Sequence, residues 1–187
     1  MRIISGKHRG RKLFSPPGTA VRPTSDMAKE ALFNILQTVI FGADFLDLFA
    51  GSGGVGLEAL SRGARVTLVD SSPDSIALIK KNVALLKEEP AIILADAARF
   101  IRNAAPDSFD IIFLDPPYEI SADERDGLPD KIYKSGALRQ GGAVIMEIKR
   151  GLPPPEPSGF EITDIREYGN SSFIFLRYKS QEEDSSL

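Results

Sequence analysis

Between Phe45 and Asp115 four short apolar runs, each carrying an aspartate at or near its end, alternate with segments of helical length. The runs are FLDLF, ARVTLVD, AIILAD and FDIIFLD; Gly54 to Arg62, Pro73 to Lys87 and Ala97 to Ala104 separate them. Strand-length runs joined by helices imply βαβ units, and βαβ units imply a parallel sheet. In the second helix Ser72 can cap, Pro73 suits the first turn, and Ile76, Ile79, Val83 and Leu86 recur as one buried stripe. GGAVIMEI reads as a further buried strand, and the closing segments, about Glu161 to Tyr168 and Ser172 to Tyr178, read as antiparallel strands joined at Gly169-Asn170. Parallel strands end on one side, so Asp47, Asp70, Asp96 and Asp115 are predicted to share one sheet edge. Open α/β sheets bind their ligands at that edge.

The first connection, DLFAGSGGVG from Asp47 to Gly56, leaves a strand and opens a helix. Gly51, Gly53 and Gly56 match G-x-G-x-x-G, and Asp70 ends the next strand 19 positions after Gly51, where a carboxylate can hold ribose hydroxyls. That spacing serves a nicotinamide dinucleotide and other adenosine-containing cofactors alike. Asp47 would repel a pyrophosphate and attract the ammonium of an amino-acid moiety. Asp96 could accept the exocyclic amine of an adenine. An acidic rim of this kind suits a cationic sulfonium cofactor, S-adenosylmethionine, better than a polyanionic dinucleotide.

The last of the four runs leads into Asp115-Pro116-Pro117-Tyr118. Neither proline can donate to a ladder, so the strand stops in a rigid acidic turn. Asp115 and the Pro116 carbonyl are two acceptors, and Tyr118 is a flat face for stacking. Together they suit a planar exocyclic amine, whose lone pair is otherwise delocalised into its ring. Hydrogen bonds from both N–H groups favour pyramidalisation and allow in-line attack on an electrophilic methyl group. Asp-Pro-Pro can also serve merely to end a strand.

With 187 residues, 42% of them hydrophobic, the chain can bury a full sheet as one domain without staples. It has no cysteine and one histidine, which excludes a disulfide scaffold and a cysteine- or histidine-rich metal centre. No apolar stretch is long enough to span a bilayer, and MRIISGKHRG lacks the apolar core of a secretory signal, so a soluble cytoplasmic protein is expected. The net charge of −3 hides an asymmetry: the first thirty residues hold seven basic side chains against two acidic ones. Residues 1–14 read as two short strands joined near Gly6 to Gly10, too polar to contribute to a core. They are either an exposed edge with solvated charge or a phosphate-gripping arm. After Ser15-Pro-Pro-Gly, a helix is predicted with Ala28, Ala31, Leu32, Ile35, Leu36 and Val39 as its apolar stripe and Asp26 near its start. Glu119 to Lys134 reads as a solvated connection, or else a substrate loop, and SQEEDSSL as a disordered acidic tail.

The motifs DLFAGSGGVG and DPPY resemble those of the class I S-adenosylmethionine-dependent methyltransferases. More narrowly, RIISGKHRGRKL, RPTSDMAKEALFNIL, DLFAGSGGVGLEALSRGA and FDIIFLDPPY are similar to the small bacterial 16S ribosomal RNA guanine-N(2) methyltransferases that modify guanine 966, a resemblance that runs to about Tyr178. It implies a Rossmann-like seven-stranded, mostly parallel sheet with an antiparallel C-terminal pair. Residues 1–23 would be a basic hairpin extension, 24–179 the methyltransferase domain and 180–187 the tail. By the same resemblance Gly51 and Gly53 admit the methionine part of the cofactor beside Asp47, Asp70 binds its ribose, and Asp96 with the Ala97 backbone binds its adenine. Asp115, Pro116, Pro117 and Tyr118 form the catalytic signature, and Arg9, Arg11, Lys12 and Arg22 contact RNA phosphates. The implied partner is 16S RNA in an assembled or assembling small subunit, with ribosomal protein sharing the interface and the enzyme acting as a monomer without a metal. His8, Met27 and Lys29 depart from the family pattern, which implies a weaker or differently placed RNA footprint. Methylation of DNA adenine or a protein amide, a nicotinamide-dependent oxidoreductase, and a non-catalytic RNA-binding assembly factor are the rival readings.

Overall fold

A computed structural model describes residues 1–16, 23–117 and 119–180. The elements run α1 (Pro23–Ile35), β1 (Asp44–Asp47), α2 (Gly54–Ser61), β2 (Arg65–Asp70), α3 (Pro73–Leu86), β3 (Ala91–Leu94), α4 (Ala97–Asn103) and β4 (Phe109–Leu114). They continue with α5 (Ala122–Asp126), α6 (Leu128–Ser135), β5 (Leu138–Lys149), β6 (Phe160–Tyr168) and β7 (Ser171–Tyr178). The seven strands form one sheet in the order β3-β2-β1-β4-β5-β7-β6. β1 to β5 pair in parallel; β7 runs antiparallel to β5 and to β6. This is the Rossmann-like α/β architecture expected, with the antiparallel pair at the C-terminal end.

Both faces of the sheet are covered, which is why its central strands read as unbroken apolar runs. Phe45, Ile111, Phe113, Ile145 and Phe173 point to one side, where α1, α2 and α3 bring Leu32, Phe33, Leu57 and Ile79. Leu46, Ile112, Leu114, Val144, Met146 and Ile174 point to the other, where α4 and α6 bring Ile101, Leu128 and Ile132. The stripe of α3 is as expected, and the Ser72 hydroxyl accepts the Ser75 N–H at 3.3 Å.

Three expectations need correction. The basic arm does contribute to the core: Ile3 and Leu13 are buried against the α1–α3 layer. In place of two strands it makes one antiparallel bridge, Arg2 to Lys12, closed by Ile3 N–H to the Arg11 carbonyl at 2.9 Å. Its docking on α2, described below, supplies the order that its polar sequence does not. The stripe of α1 is also displaced. Ile35 and Val39 are exposed while Phe33 and Ile40 are buried, because the chain turns after α1 and Ile40 N–H reaches the Leu36 carbonyl at 2.9 Å. Finally, the stretch after Tyr118 holds α5 and α6 instead of a solvated connection. Ser121 caps α5, and Leu128 and Ile132, one helical turn apart, fix α6 to the sheet. Of the tail, only Ser180 lies within the described residues.

Candidate active site

The parallel register sets the predicted acids along the carboxyl edge in spatial order Asp96, Asp70, Asp47, Asp115. Asp47 ends β1, where the chain passes through Gly51 (φ 55°) and Gly53 (φ 83°) into α2. Both glycines are in the left-handed region that side chains disfavour, so the sharp turn depends on them. Gly56 has a different task. A Cβ there would stand 2.3 Å from Leu68 Cδ2 and 3.2 Å from Asp47 Oδ2, so its lack of a side chain lets α2 close onto the sheet. The Gly56 N–H then donates to Asp47 Oδ2 at 2.9 Å. Asp70 braces the loop from the next strand: its Oδ2 accepts the Gly51 N–H at 2.7 Å and its Oδ1 the Ser72 N–H at 2.8 Å.

A cavity of about 260 Å³ lies under this edge, walled by Asp26, Lys29, Asp47, Gly51, Asp115 and Glu147 among others. It therefore unites Asp47, Gly51 and Asp115 of the predicted residues. Gly53 is not part of its wall, although Ser52 and Gly54 on either side are, and Asp70, Asp96 and Ala97 lie outside it, farther along the edge. Asp96 is exposed and caps α4, accepting the Arg99 N–H at 2.8 Å with Oδ1. Pro116 is buried and its carbonyl accepts no hydrogen bond from any described residue, whereas the Pro117 carbonyl is taken by the Ile120 N–H at 3.1 Å. Arg9, Arg11 and Lys12 are exposed on the arm, without an ion-pair partner among the described residues. Tyr118 and Arg22 lie outside the described residues.

Sequence reasoning missed three charged side chains of this wall. Glu147, in β5, breaks an apolar run with a carboxylate, a signal that was present. Asp26, read as a dipole partner, has Oδ1 sealed from solvent without a hydrogen-bond partner among the described residues. Lys29, read as a departure in the RNA footprint, is buried; its Nζ donates to the Arg2 carbonyl at 2.6 Å and stands 3.5 Å from Glu58.

The cavity is electrostatically unbalanced. Burial pushes Asp47 up to about 7, with the charge of Asp70 adding to the shift and the Gly56 N–H opposing it. Asp115 is driven well above the ordinary carboxylate range, first by the protein packed around it and then by Glu147 and Asp47. Its outer side opens to solvent, which screens part of this shift without reversing it. Burial also raises Glu147, against the hydroxyl of Ser171, which donates to Oε1 at 2.5 Å. The opposite edge of the same sheet shows the contrast. There Arg65 and Arg139 hold Asp44 down at about 2, with Arg139 bridging Asp44 at 2.6 Å and Asp110 at 2.7 Å. Asp44 and Asp110 at the amino edge are paired with arginines, whereas Asp47, Asp115 and Glu147 at the carboxyl edge have no ion-pair partner among the described residues. Strongly perturbed carboxylates gathered in a cleft mark a site for chemistry.

The chain matches the family model described as conserved hypothetical protein 95 over residues 1–177. It is 34% identical over 194 aligned positions to ribosomal RNA small subunit methyltransferase D of Escherichia coli K12, covering 100% of this chain and 94% of that protein. The protein of the same name from Haemophilus influenzae is 33% identical over 178 positions, covering 92% and 91% of the two chains. Among solved structures, yhhF of Escherichia coli superposes with a TM-score of 0.81 at 32% identity, covering 97% of this chain and 99% of that one. On the match along nearly its whole length and its shared sheet, the chain belongs to the conserved hypothetical protein 95 family, that of the ribosomal RNA small subunit methyltransferases D.

Proposed function

We propose that this protein is an S-adenosylmethionine-dependent methyltransferase that modifies the exocyclic N2 amine of a guanine in 16S ribosomal RNA, guanine 966 within an assembled small subunit. The observation that carries the reading is the acidic cavity beside Asp115, in which carboxylates outnumber cations. The donor set suits the cofactor. Asp26 Oδ1, which has no hydrogen-bond partner among the described residues, and the buried Asp47 can accept an ammonium, and Gly51, where a Cβ would meet nothing within 4 Å, admits a ligand close to the backbone. Asp70, already holding two backbone N–H groups, keeps further lone pairs for ribose hydroxyls, and Asp96 with the Ala97 backbone takes the adenine.

The cofactor supplies an electrophilic methyl group on a sulfonium. Asp115 and the Pro116 carbonyl accept the two N–H bonds of the guanine amine and aim its lone pair, while Tyr118 stacks on a base drawn out of its RNA context. As the N–C bond forms and the C–S bond breaks, the amine passes a proton to Asp115 or to water. A carboxylate displaced upward in pKa is suited to that task. Residues 1–23 form an RNA-gripping extension of the domain over 24–179, with Arg9, Arg11, Lys12 and Arg22 on phosphates and ribosomal protein completing the interface. The enzyme acts as a cytoplasmic monomer without a metal; no described helix is long and apolar enough to cross a membrane.

The test is transfer of labelled methyl from S-adenosylmethionine to unmethylated small subunits, naked 16S RNA and duplex DNA side by side, with nucleoside analysis. N2-methylguanosine from the subunits is expected. Methyladenine in DNA would overturn the substrate, and cofactor binding without transfer to any of the three would favour a binding role. Asp115→Ala should lower turnover on the order of 10²- to 10³-fold with little change in cofactor affinity. Equal losses in both would place Asp115 on the cofactor instead.

A further inference from the structure

The cavity wall contains a second carboxylate beside Asp115 that the amine does not require. The parallel register of β4 and β5 runs through Leu114 opposite Met146, so Asp115, which follows β4, and Glu147 of β5 come next to each other on the opposite face. That face is the one lined by Phe113 and Phe173, and both carboxylates line the same cavity. Glu147 is fixed from one side only. Ser171 Oγ donates to its Oε1 at 2.5 Å, and no described residue donates to Oε2. Lys29, a basic side chain of the cavity wall, is directed to the Arg2 carbonyl and Glu58. Among the described residues no donor reaches either oxygen of Asp115 or Oε2 of Glu147, so the two adjacent carboxylates suit a ligand edge that presents donors in a row.

Among the amino-bearing bases only guanine does so. Its N2 amine is followed directly by the ring N1–H, whereas in adenine and cytosine the ring nitrogen beside the amine is an acceptor. We propose that Glu147 Oε2 accepts the N1–H of the target guanine while Asp115 and Pro116 hold its amine, so that Glu147 selects guanine over the other amino-bearing bases. This rests on the reading of the function given above and names the group that sets its base specificity. A carboxylate facing the bare ring nitrogen of adenine or cytosine meets lone pair with lone pair. Rejection is therefore built into the site as well as attraction.

The experiment compares small subunits reconstituted with guanine or with 2-aminopurine at the position the protein methylates. 2-Aminopurine keeps the 2-amine but carries a bare acceptor at N1. The wild-type protein should favour guanine in kcat/KM on the order of 10²-fold, the scale set by a hydrogen bond to a charged group. In Glu147→Gln, Ser171 holds the amide carbonyl and the NH2 turns into the cavity as a donor. Guanine should then lose on the order of 10²-fold while 2-aminopurine loses little, so that the ratio falls towards one. Ser171→Ala, which leaves the carboxylate in place but unfixed, should lower the ratio in the same direction by a smaller factor, and it decides the matter if Glu147→Gln does not fold. An unchanged ratio in the variants, or equal losses on both bases, overturns the proposal. So does a collapse of S-adenosylmethionine affinity in Glu147→Gln, which would assign the residue to the cofactor. If the wild-type protein methylates the subunits at a base other than guanine, or not at all, the reading of the function has failed, and that result is separate from any behaviour of the variants.

Discussion

Asp47 has two competing surroundings: the Gly56 N–H favours its charged form, whereas burial and the neighbouring Asp70 favour the neutral one and win. Its folded pKa, about 7, lies above the ordinary aspartate value of 3.8. The ligand-free protein therefore holds a proton there that the unfolded chain releases. The stability this lends is complete at low pH and is lost as pH rises through about 7. A bound ammonium reverses the preference and expels the proton. The affinity of S-adenosylmethionine should accordingly rise with pH towards about 7 and level off above it, by at most about tenfold per pH unit for this one group. Calorimetry in buffers of different ionisation enthalpy would detect the released proton, and Asp47→Asn should flatten the profile. A wild-type affinity that is flat across this range would remove Asp47 from the ammonium site. The position of Asp47 at a strand end was legible in the sequence. Its ionisation was not, because that depends on Asp70 and on the mass of α2, which the chain reaches only after turning back.

At the scale of elements, the arm is held to α2 by a buried acid. Glu58 is fully buried; its Oε2 accepts the Ile4 N–H at 2.8 Å and its Oε1 the Ser5 N–H at 3.0 Å, with Arg62 Nε at 2.8 Å. Ser61 adds its carbonyl to the Lys7 N–H at 2.7 Å and its hydroxyl to the Ser5 carbonyl at 2.6 Å. The fit at Gly6 is close: φ is 82°, and a Cβ would fall 1.9 Å from the Ser61 carbonyl oxygen. Glu58→Ala would leave Lys29 and Arg62 without their acid and two backbone donors unmet. It should cost about 3–5 kcal/mol in denaturant-induced unfolding. A cost below about 1 kcal/mol, the scale of an exposed pair, would mean that the arm is not secured through Glu58. The clasp was not visible along the chain, since Glu58 reads there as one more charge on a short helix and its backbone partners on the arm lie 53 and 54 residues away. The helices after Tyr118 were missed for a related reason. Their polar residues dominate composition, while two apolar side chains, Leu128 and Ile132, hold α6 to the sheet.

Over the whole molecule, a net charge of −3 conceals a basic arm and an acidic cavity. The two signs suit different parts of one ligand pair: phosphates for the arm, a cationic cofactor and an amine for the cavity. Because Arg9, Arg11 and Lys12 are exposed and form no ion pair with any described residue, replacing all three with alanine should leave unfolding unchanged. It should weaken subunit binding and make the dependence of log K on log salt shallower by about 0.7 to 0.9 for each phosphate that is no longer neutralised. An unaltered salt slope in a filter-binding titration would make the arm a structural clasp only. By itself the sequence determined the alternation of strands and helices from β1 to β4, the turns at Gly51 and Gly53, and the edge that receives Asp47, Asp70, Asp96 and Asp115. Those follow from periodicity, chain order and local backbone preference, which are properties of neighbouring residues. Only the tertiary structure decided that Asp47, Asp115 and Glu147 share a cavity while Asp70 and Asp96 brace a loop and cap a helix, and that the polar arm joins the core. Burial, Coulomb repulsion and hydrogen-bond partnership depend on residues brought together across the sheet, and strand order alone does not specify them.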